Sequence, residues 1–257
     1  MTDFYWELYK SNNQKNINSR IVKIAEGFLG QKYVGGVLDE NENESCVINP
    51  FELDCVTMIE QTLALSRIKN ANKENIIDKL TRELTNIRYR NGEINGYLSR
   101  LHYSKDWALD NIKKGVIKDI GKEIGGMIYK KYINFMSTHP QYYNQLKSNP
   151  ELINKIKNLE EKINSKDIYY IPKEKLTQNI LGKIKSGDLI FFTINIQGLD
   201  YSHTAIAFRG DDEKFENNKL GLIHASTTQK KVVIEESLLD YINSVKKHSG
   251  ITILRSL

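Results

Sequence analysis

Cysteine is scarce in this chain: there are two in 257 residues, Cys46 and Cys55, nine positions apart. Two cysteines exclude a disulfide framework and every cysteine-rich zinc motif. A bond between them would fold the intervening loop back on itself and consume the Cys55 thiol, so both are read as reduced. Long apolar runs are missing as well, and no stretch approaches the roughly 20 residues of a membrane span. Residues 1–15 lack a basic segment followed by an apolar one, so no secretory signal is visible. An excess of one charge is also missing. Thirty-seven Lys and Arg stand against 32 Asp and Glu, a net +5 spread along the chain. That balance fits a solvated surface or an anionic substrate and gives no nucleic-acid-binding face. No internal repeat or low-complexity linker appears. With 40% hydrophobic residues, one sizeable domain over 1–257 is expected, preceded by a polar lead-in over 1–18.

Helical spacing places Ile21, Ile24, Ala25, Phe28 and Leu29 on one face, stopped by Gly30. Residues 33–36 (Tyr-Val-Gly-Gly) read as a turn and 39–44 as an acidic loop. Asp54 reads as the N-cap of a helix with Val56, Ile59, Leu63 and Ile68 in its stripe. A further helix is predicted over 74–84 and a strand over 86–90. Between about 95 and 170 the pattern predicts a mixed insertion: a helix over 97–113, strands over 116–120 and 127–135, and a helix opened by Asn149-Pro150. Beyond Pro172 come strands over 188–194, 204–208, 220–225 and 231–235. Ser237 then caps a helix over 238–247, Gly250 ends it, and a strand over 251–254 closes the chain. Helices first and strands later give an α+β fold.

The chemistry gathers at Cys55, His203 and His224. A helix N-terminus favours an anion, and with a neighbouring imidazolium it can bring a thiol pKa down to roughly 3.5–7.5. Cys55 is predicted at the first helical position, where unpaired N–H groups can also serve an oxyanion. Asp54 opposes that effect and needs another role, as helix cap or as holder of a cationic substrate group. Position alone leaves Cys55 open as a nucleophile or a small buried hydrophobe. His203 heads one apolar strand and His224 lies between apolar residues of another. Two histidines on adjacent strands can work as base and orienting partner.

The ordered set Gly30-Gln31-Lys32-Tyr33-Val34-Gly35-Gly36, Asp54-Cys55, Gly187-Asp188-Leu189-Ile190-Phe191-Phe192, Ser202-His203 and Ile223-His224-Ala225-Ser226 resembles the NlpC-type cell-wall cysteine peptidases. The resemblance implies a papain-like core, with Cys55 as nucleophile, His203 as base and His224 as orienting residue. Common members follow Asp-Cys with Ser-Gly, where this chain has Val56-Thr57. They also space their histidines more closely than 203 and 224, between which Asp211–Asn218 forms a polar insert. Leu53-Asp54-Cys55-Val56-Thr57, Ile87-Arg88-Tyr89-Arg90, Ser99-Arg100-Leu101-His102-Tyr103, Asp106-Trp107, Tyr170-Ile171-Pro172, Gly198-Leu199-Asp200 and Leu239-Asp240-Tyr241 resemble one branch, the N-acetylmuramoyl-L-alanine amidase-like family, from about residue 20 to the C-terminus.

That branch implies hydrolysis of the amide joining the muramoyl lactyl group to L-alanine in peptidoglycan fragments, including 1,6-anhydro-muropeptides. The residues show no metal-ligand spacing, no membrane span and no nucleic-acid face, so no cofactor, metal or nucleic-acid partner is expected, and a monomer is expected. The resemblance places the chain in the bacterial envelope or periplasm if an export signal has been removed, and without one the cytoplasm stays open. Candidate substrate or oxyanion residues are Tyr33, Asp54, Arg100, His102, Trp107, Asp200 and Ser202. Arg88, Arg90 and Arg100 suit stem-peptide carboxylates, against a structural reading of each. His102 beside Arg100 and Trp107 suits a sugar site, against the reading of a helix-surface histidine. His248 reads as favourable to the dipole of the last helix. Two rivals remain: a γ-D-glutamyl–diamino acid endopeptidase of the same fold, and a non-catalytic muropeptide-binding protein.

Overall fold

The computed structural model of the chain describes residues 1–12, 14, 16–39, 43–147, 149–210 and 219–257. The polar lead-in expected over 1–18 is instead mostly helical: α1 spans Thr2–Ser11 and α2 spans Ile17–Glu26. The N-cap Met1 makes no side-chain cap bond, so the usual start signal is missing. An aromatic face supplies the packing instead. Tyr5 is fully buried, its hydroxyl donates to Gln61 Oε1, and the Phe4 ring meets those of Phe28 and Phe51.

A short parallel pair follows, β1 (Lys32–Tyr33) and β2 (Glu52–Leu53), leading into α3 (Cys55–Arg67). From Thr57 to Ser66 every residue of α3 is buried, which makes it the central helix of the domain. Two of its polar residues bond back to their own helix: Ser66 Oγ donates to Thr62 O and Gln61 Nε2 to Thr57 O. Next, α4 covers Ile76–Arg88. The strand expected over 86–90 is therefore a correction. Leu80, Leu84 and Ile87 continue one helical stripe into the core, and only Tyr89 makes a lone bridge, to Arg100.

The segment from 95 to 170 is mixed, as expected, with shifted bounds. Its first helix, α5, runs Ser104–Lys113, later than the spacing suggested; β3 spans Ile117–Asp119 and β4 only Met127–Ile128. Helices α6 (Phe135–Thr138) and α7 (Pro150–Asn164) follow, then β5 (Tyr169–Pro172). Asn149 caps α7 through Leu152 N–H, with Pro150 in the first turn. Tyr103, Ile133, Met136, Leu146, Ile156 and Ile163 form a small core here.

The C-terminal part holds α8 (Gln178–Leu181), β6 (Leu189–Ile194), β7 (Tyr201–Phe208), β8 (Gly221–Ser226), β9 (Lys231–Glu235), α9 (Leu238–Ser244) and β10 (His248–Ser256). The strands join one mostly antiparallel sheet in the order β2-β1-β9-β8-β7-β6-β10-β5-β4, with β3 also on β10. Alternate residues of β6–β8 serve two cores. Leu189, Phe191, Ile206 and Ile223 face α2 and α3, whereas Ile190, Phe192, Ala205, Ala207 and Leu222 meet Leu238 and Ile242 of α9. Both sheet faces are covered, so these strands read as continuous apolar runs. The polar insert at Asp211–Asn218 lies outside the described residues.

The C-terminus carries a second correction. Gly250 lies inside β10 and does not end a helix, and the β6 register shifts between His248 and Gly250. A Cβ at 250 would stand 2.3 Å from Ile171 O on β5, so the close approach of strands requires glycine. The Gly187-Asp188 turn has an equally local cause. Asp188 is fully buried, and both its oxygens bind the Arg255 guanidinium, at 2.7 Å each, tying the start of β6 to the end of β10.

Candidate active site

Cys55 is the first residue of α3. Asp54 Oδ1 accepts from Thr57 N–H at 2.7 Å, and Thr57 Oγ1 accepts from Asp54 N–H at 2.9 Å. This reciprocal capping box assigns Asp54 to the cap, and it needs a hydroxyl at 57. The Cys55 carbonyl accepts from Thr204 Oγ1 at 2.7 Å, which ties the helix start to β7.

On β7 and β8, His203 Nε2 lies 2.7 Å from His224 Nδ1. His224 is 1% exposed and sits behind His203. The Phe192 ring stacks on His203 and also on His248, and the Tyr241 ring packs against all three histidines.

Two clefts meet at Cys55, Ser202 and His203. The larger, 780 Å³, is walled by β9 and α9 and includes Tyr33, Glu235, Asp240, Tyr241 and His248. The smaller, 300 Å³, is walled by the 95–170 segment and includes Asp54, Arg88, Arg100, His102 and Asp200. The structure thus brings together nine of the ten sequence-expected site residues, His224 standing just behind. The exception is Trp107, which is 2% exposed, packs on Phe191 and donates its indole N–H to Glu60 Oε1 at 3.1 Å. It lines neither cleft, because its polar atom is already used inside the core.

Several charged candidates are held from within the protein. Arg88 is buried against Glu60, and Arg90 forms a bidentate pair with Asp106. Arg100 pairs with Asp39 and Glu44 of the acidic loop. His102 donates Nε2–H to Tyr97 O at 2.8 Å, and burial brings its pKa down to about 3. Asp200 accepts from Lys105 N–H and Tyr201 N–H, fixing the start of β7, while burial pushes its carboxyl up to about 6.

The electrostatics at Cys55 differ from the expected lowered thiol. Burial of the sulfur, then the Asp54 carboxylate, push the thiol up to about 11. Burial, then His224 and His248, hold His203 well below the ordinary histidine value. The resting pair is therefore a neutral thiol and a neutral imidazole, with no hydrogen bond between them among the described contacts. Burial, Cys55 and Asp54 push the Tyr33 phenol up to about 12, so its O–H stays a donor. Alkylation of Cys55 by iodoacetamide should accordingly rise about tenfold per pH unit from 7 to 10, with half-maximal rate near pH 11. Peptide mass spectrometry separates it from Cys46. A rate already flat below pH 8 would show a resting ion pair instead.

Sequence patterns give Glu235 no place in the site, and they mark Tyr241 only as part of the Leu239-Asp240-Tyr241 motif, without a role. His248 reads as favourable to the dipole of the last helix, whereas it is the first residue of β10 and is buried against the same Phe192 and Tyr241 rings as His203. Its position inside the Phe192–Tyr241 aromatic cluster depends on sheet register, which no local pattern carries. Cys46 lies away from both clefts, its Sγ donating to Thr81 O. Among the described residues, no group of three or more His, Cys, Asp or Glu could hold a metal ion, and no helix is long and apolar enough to cross a membrane.

The profile of the AmiA-like, N-acetylmuramoyl-L-alanine amidase-like family matches residues 23–251. The chain belongs to the N-acetylmuramoyl-L-alanine amidase-like family. A crystal structure of an N-acetylmuramoyl-L-alanine amidase from Bacteroides uniformis is 36% identical, with a TM-score of 0.86 over 94% of this chain and 99% of that one. A Bacteroides fragilis protein named as a candidate xylanase is 35% identical, with a TM-score of 0.82 over 90% and 98%. A Legionella pneumophila protein shares the fold at 24% identity, with a TM-score of 0.74 over 100% and 94%. Among curated proteins, none matches the chain.

Proposed function

We propose that the chain is a cysteine-dependent amidase with a papain-like, NlpC-type core, acting on the amide between the muramoyl lactyl group and L-alanine of peptidoglycan fragments. The observation that carries this reading is the placement of Cys55, at a helix N-terminus, and His203, backed by His224, where two clefts meet. A scissile amide needs room on both sides, and one cleft then takes the sugar while the other takes the stem peptide. The 95–170 segment supplies one wall of that site within a single catalytic domain.

The chemistry follows from the resting charges. With the thiol near 11 and the imidazole neutral, His203 acts as general base during attack. The thiol proton moves to His203, and Cys55 Sγ bonds to the lactyl carbonyl carbon. Cys55 N–H and the Tyr33 hydroxyl are the donors suited to the resulting oxyanion. Collapse breaks the C–N bond, His203 gives its proton to the departing L-alanine amine, and water hydrolyses the thioester. No step calls for a cofactor. Family membership supports an envelope location and peptidoglycan fragments as substrates.

Mass spectrometry of products from a defined anhydro-disaccharide-tetrapeptide tests the scissile bond. Free anhydro-disaccharide plus an intact peptide is the expected result. A shortened peptide still bearing sugar means endopeptidase action and sinks the reading.

A further inference from the structure

The histidine pair poses a problem of tautomers. Neutral His203 can accept the thiol proton only if the nitrogen nearer the thiol is unprotonated. Its Nε2 is engaged with His224 Nδ1 at 2.7 Å, so Nδ1 is the nitrogen left for that task. Two arrangements satisfy the His–His bond equally. Either His203 Nε2–H donates to His224 Nδ1, leaving His203 Nδ1 bare, or His224 Nδ1–H donates to His203 Nε2, and the His203 proton then sits on Nδ1. Only the first gives a base. A group beyond His224 must choose between them.

We infer that Glu235 is that positioning residue: its carboxylate holds the proton of His224 on Nε2 and so leaves His203 Nδ1 free to accept from Cys55. The inference rests on the amidase reading of Cys55 and His203. Glu235 Oε1 lies 3.5 Å from His224 Nε2. That nitrogen is buried and has no hydrogen-bond partner otherwise. A carboxylate can only accept, so the nitrogen facing it carries the hydrogen. The separation is long for a hydrogen bond, and such contacts tighten when substrate fills a site. Gln229 Nε2 donates to the same Oε1 at 3.0 Å and fixes the carboxylate from the far side.

The sheet explains why these three side chains line up. Leu222 pairs with Glu235 and His224 with Val233, so Glu235 is the diagonal neighbour of His224 on one face. Ala207 pairs with Leu222, and the two-residue period puts His203 on that face too. Consecutive strands β7, β8 and β9 thus carry base, orienting residue and carboxylate. The other rings packed on His224 and His203 are those of Tyr241 and Phe192, which hold the pair in place. In turnover the thiol proton passes to His203 Nδ1 and then to the leaving amine. Glu235 ends each cycle unchanged.

The test combines kinetics with nitrogen-15 NMR of histidine-labelled protein. In the wild type, His224 should show a proton on Nε2. In Glu235→Ala, part of the population should shift to Nδ1–H, and kcat should fall about 10- to 100-fold, the usual effect of losing such an outer partner, at unchanged KM. Glu235 is about one-third exposed, so the variant is expected to fold, and the wild-type tautomer stands as a measurement independent of any variant. Three results overturn the inference: a wild-type proton on His224 Nδ1, an unchanged kcat, or a loss carried by KM. Cys55→Ala run alongside separates the two levels. If it stays active, the amidase reading itself fails; if it is dead while Glu235→Ala is normal, only the role of Glu235 fails.

Discussion

Cys55→Ala should lower amide hydrolysis by at least about 10⁴-fold, the scale on which loss of a covalent nucleophile is felt, while leaving the fold intact. Both halves of that expectation come from where the atoms of residue 55 are used. The helix cap is made by Asp54 and Thr57, so it does not involve the sulfur. The bond from Thr204 reaches the backbone carbonyl of residue 55, which alanine keeps. Alanine is also the best helix former. The variant should therefore melt within a few degrees of wild type and still bind muropeptide, as isothermal calorimetry would show. His203→Ala should be similarly inactive, and the double variant no worse than either single one, because the two act as a unit. Cys46→Ala, altering a thiol outside the clefts, should keep activity within about twofold. Retention of more than a tenth of the activity by Cys55→Ala would remove the nucleophile from the scheme and favour a binding protein.

Why Cys55 and the histidines were legible, and Glu235 was not, follows from the range of the forces involved. Asp54 and Thr57 are three residues apart, and capping is a local interaction, so the helix start is written in adjacent letters. The strands carrying His203 and His224 announce themselves as apolar runs, since both sheet faces are covered. Glu235 and His248 reach the site through strand register, and the partners of that register lie tens of residues away. The same limit produced the errors. Residues 86–90 resemble a strand until Ile87 is seen to continue the stripe of Leu80 and Leu84. The aromatic face of α1 becomes a helix signal only once Phe28, Phe51 and Gln61 are there to receive it. The family resemblance bridged part of this gap by fixing motif order, and it marked Asp240-Tyr241 without a role. It also drew Trp107 toward the sugar site, although the indole is committed to Glu60.

That commitment belongs to a buried charge pair whose disruption carries the largest expected stability effect. Arg88→Met should destabilise the protein by about 3–5 kcal/mol, the range for leaving one buried charge unpaired, or roughly 10 °C in melting temperature for a chain of this size. Glu60 and Arg88 are each 1% exposed, with Nε–Oε2 at 2.7 Å. Glu60 Oε1 takes the Trp107 indole, and Arg88 Nη1 donates to Val47 O at 2.6 Å. The pair thus joins α3, α4, α5 and the loop before β2 beneath the 300 Å³ cleft, which Glu60 and Arg88 also line. Methionine fills much of the arginine volume, so the loss isolates the stranded carboxylate from any cavity term. Adding Glu60→Gln to Arg88→Met removes that charge and keeps an acceptor for Trp107. The double variant should regain about half of the loss or more, a coupling that urea melts of the four proteins would read directly. Equal destabilisation in the single and double variants would instead assign the cost to packing around the guanidinium and leave the charge pair no special part in holding the cleft floor.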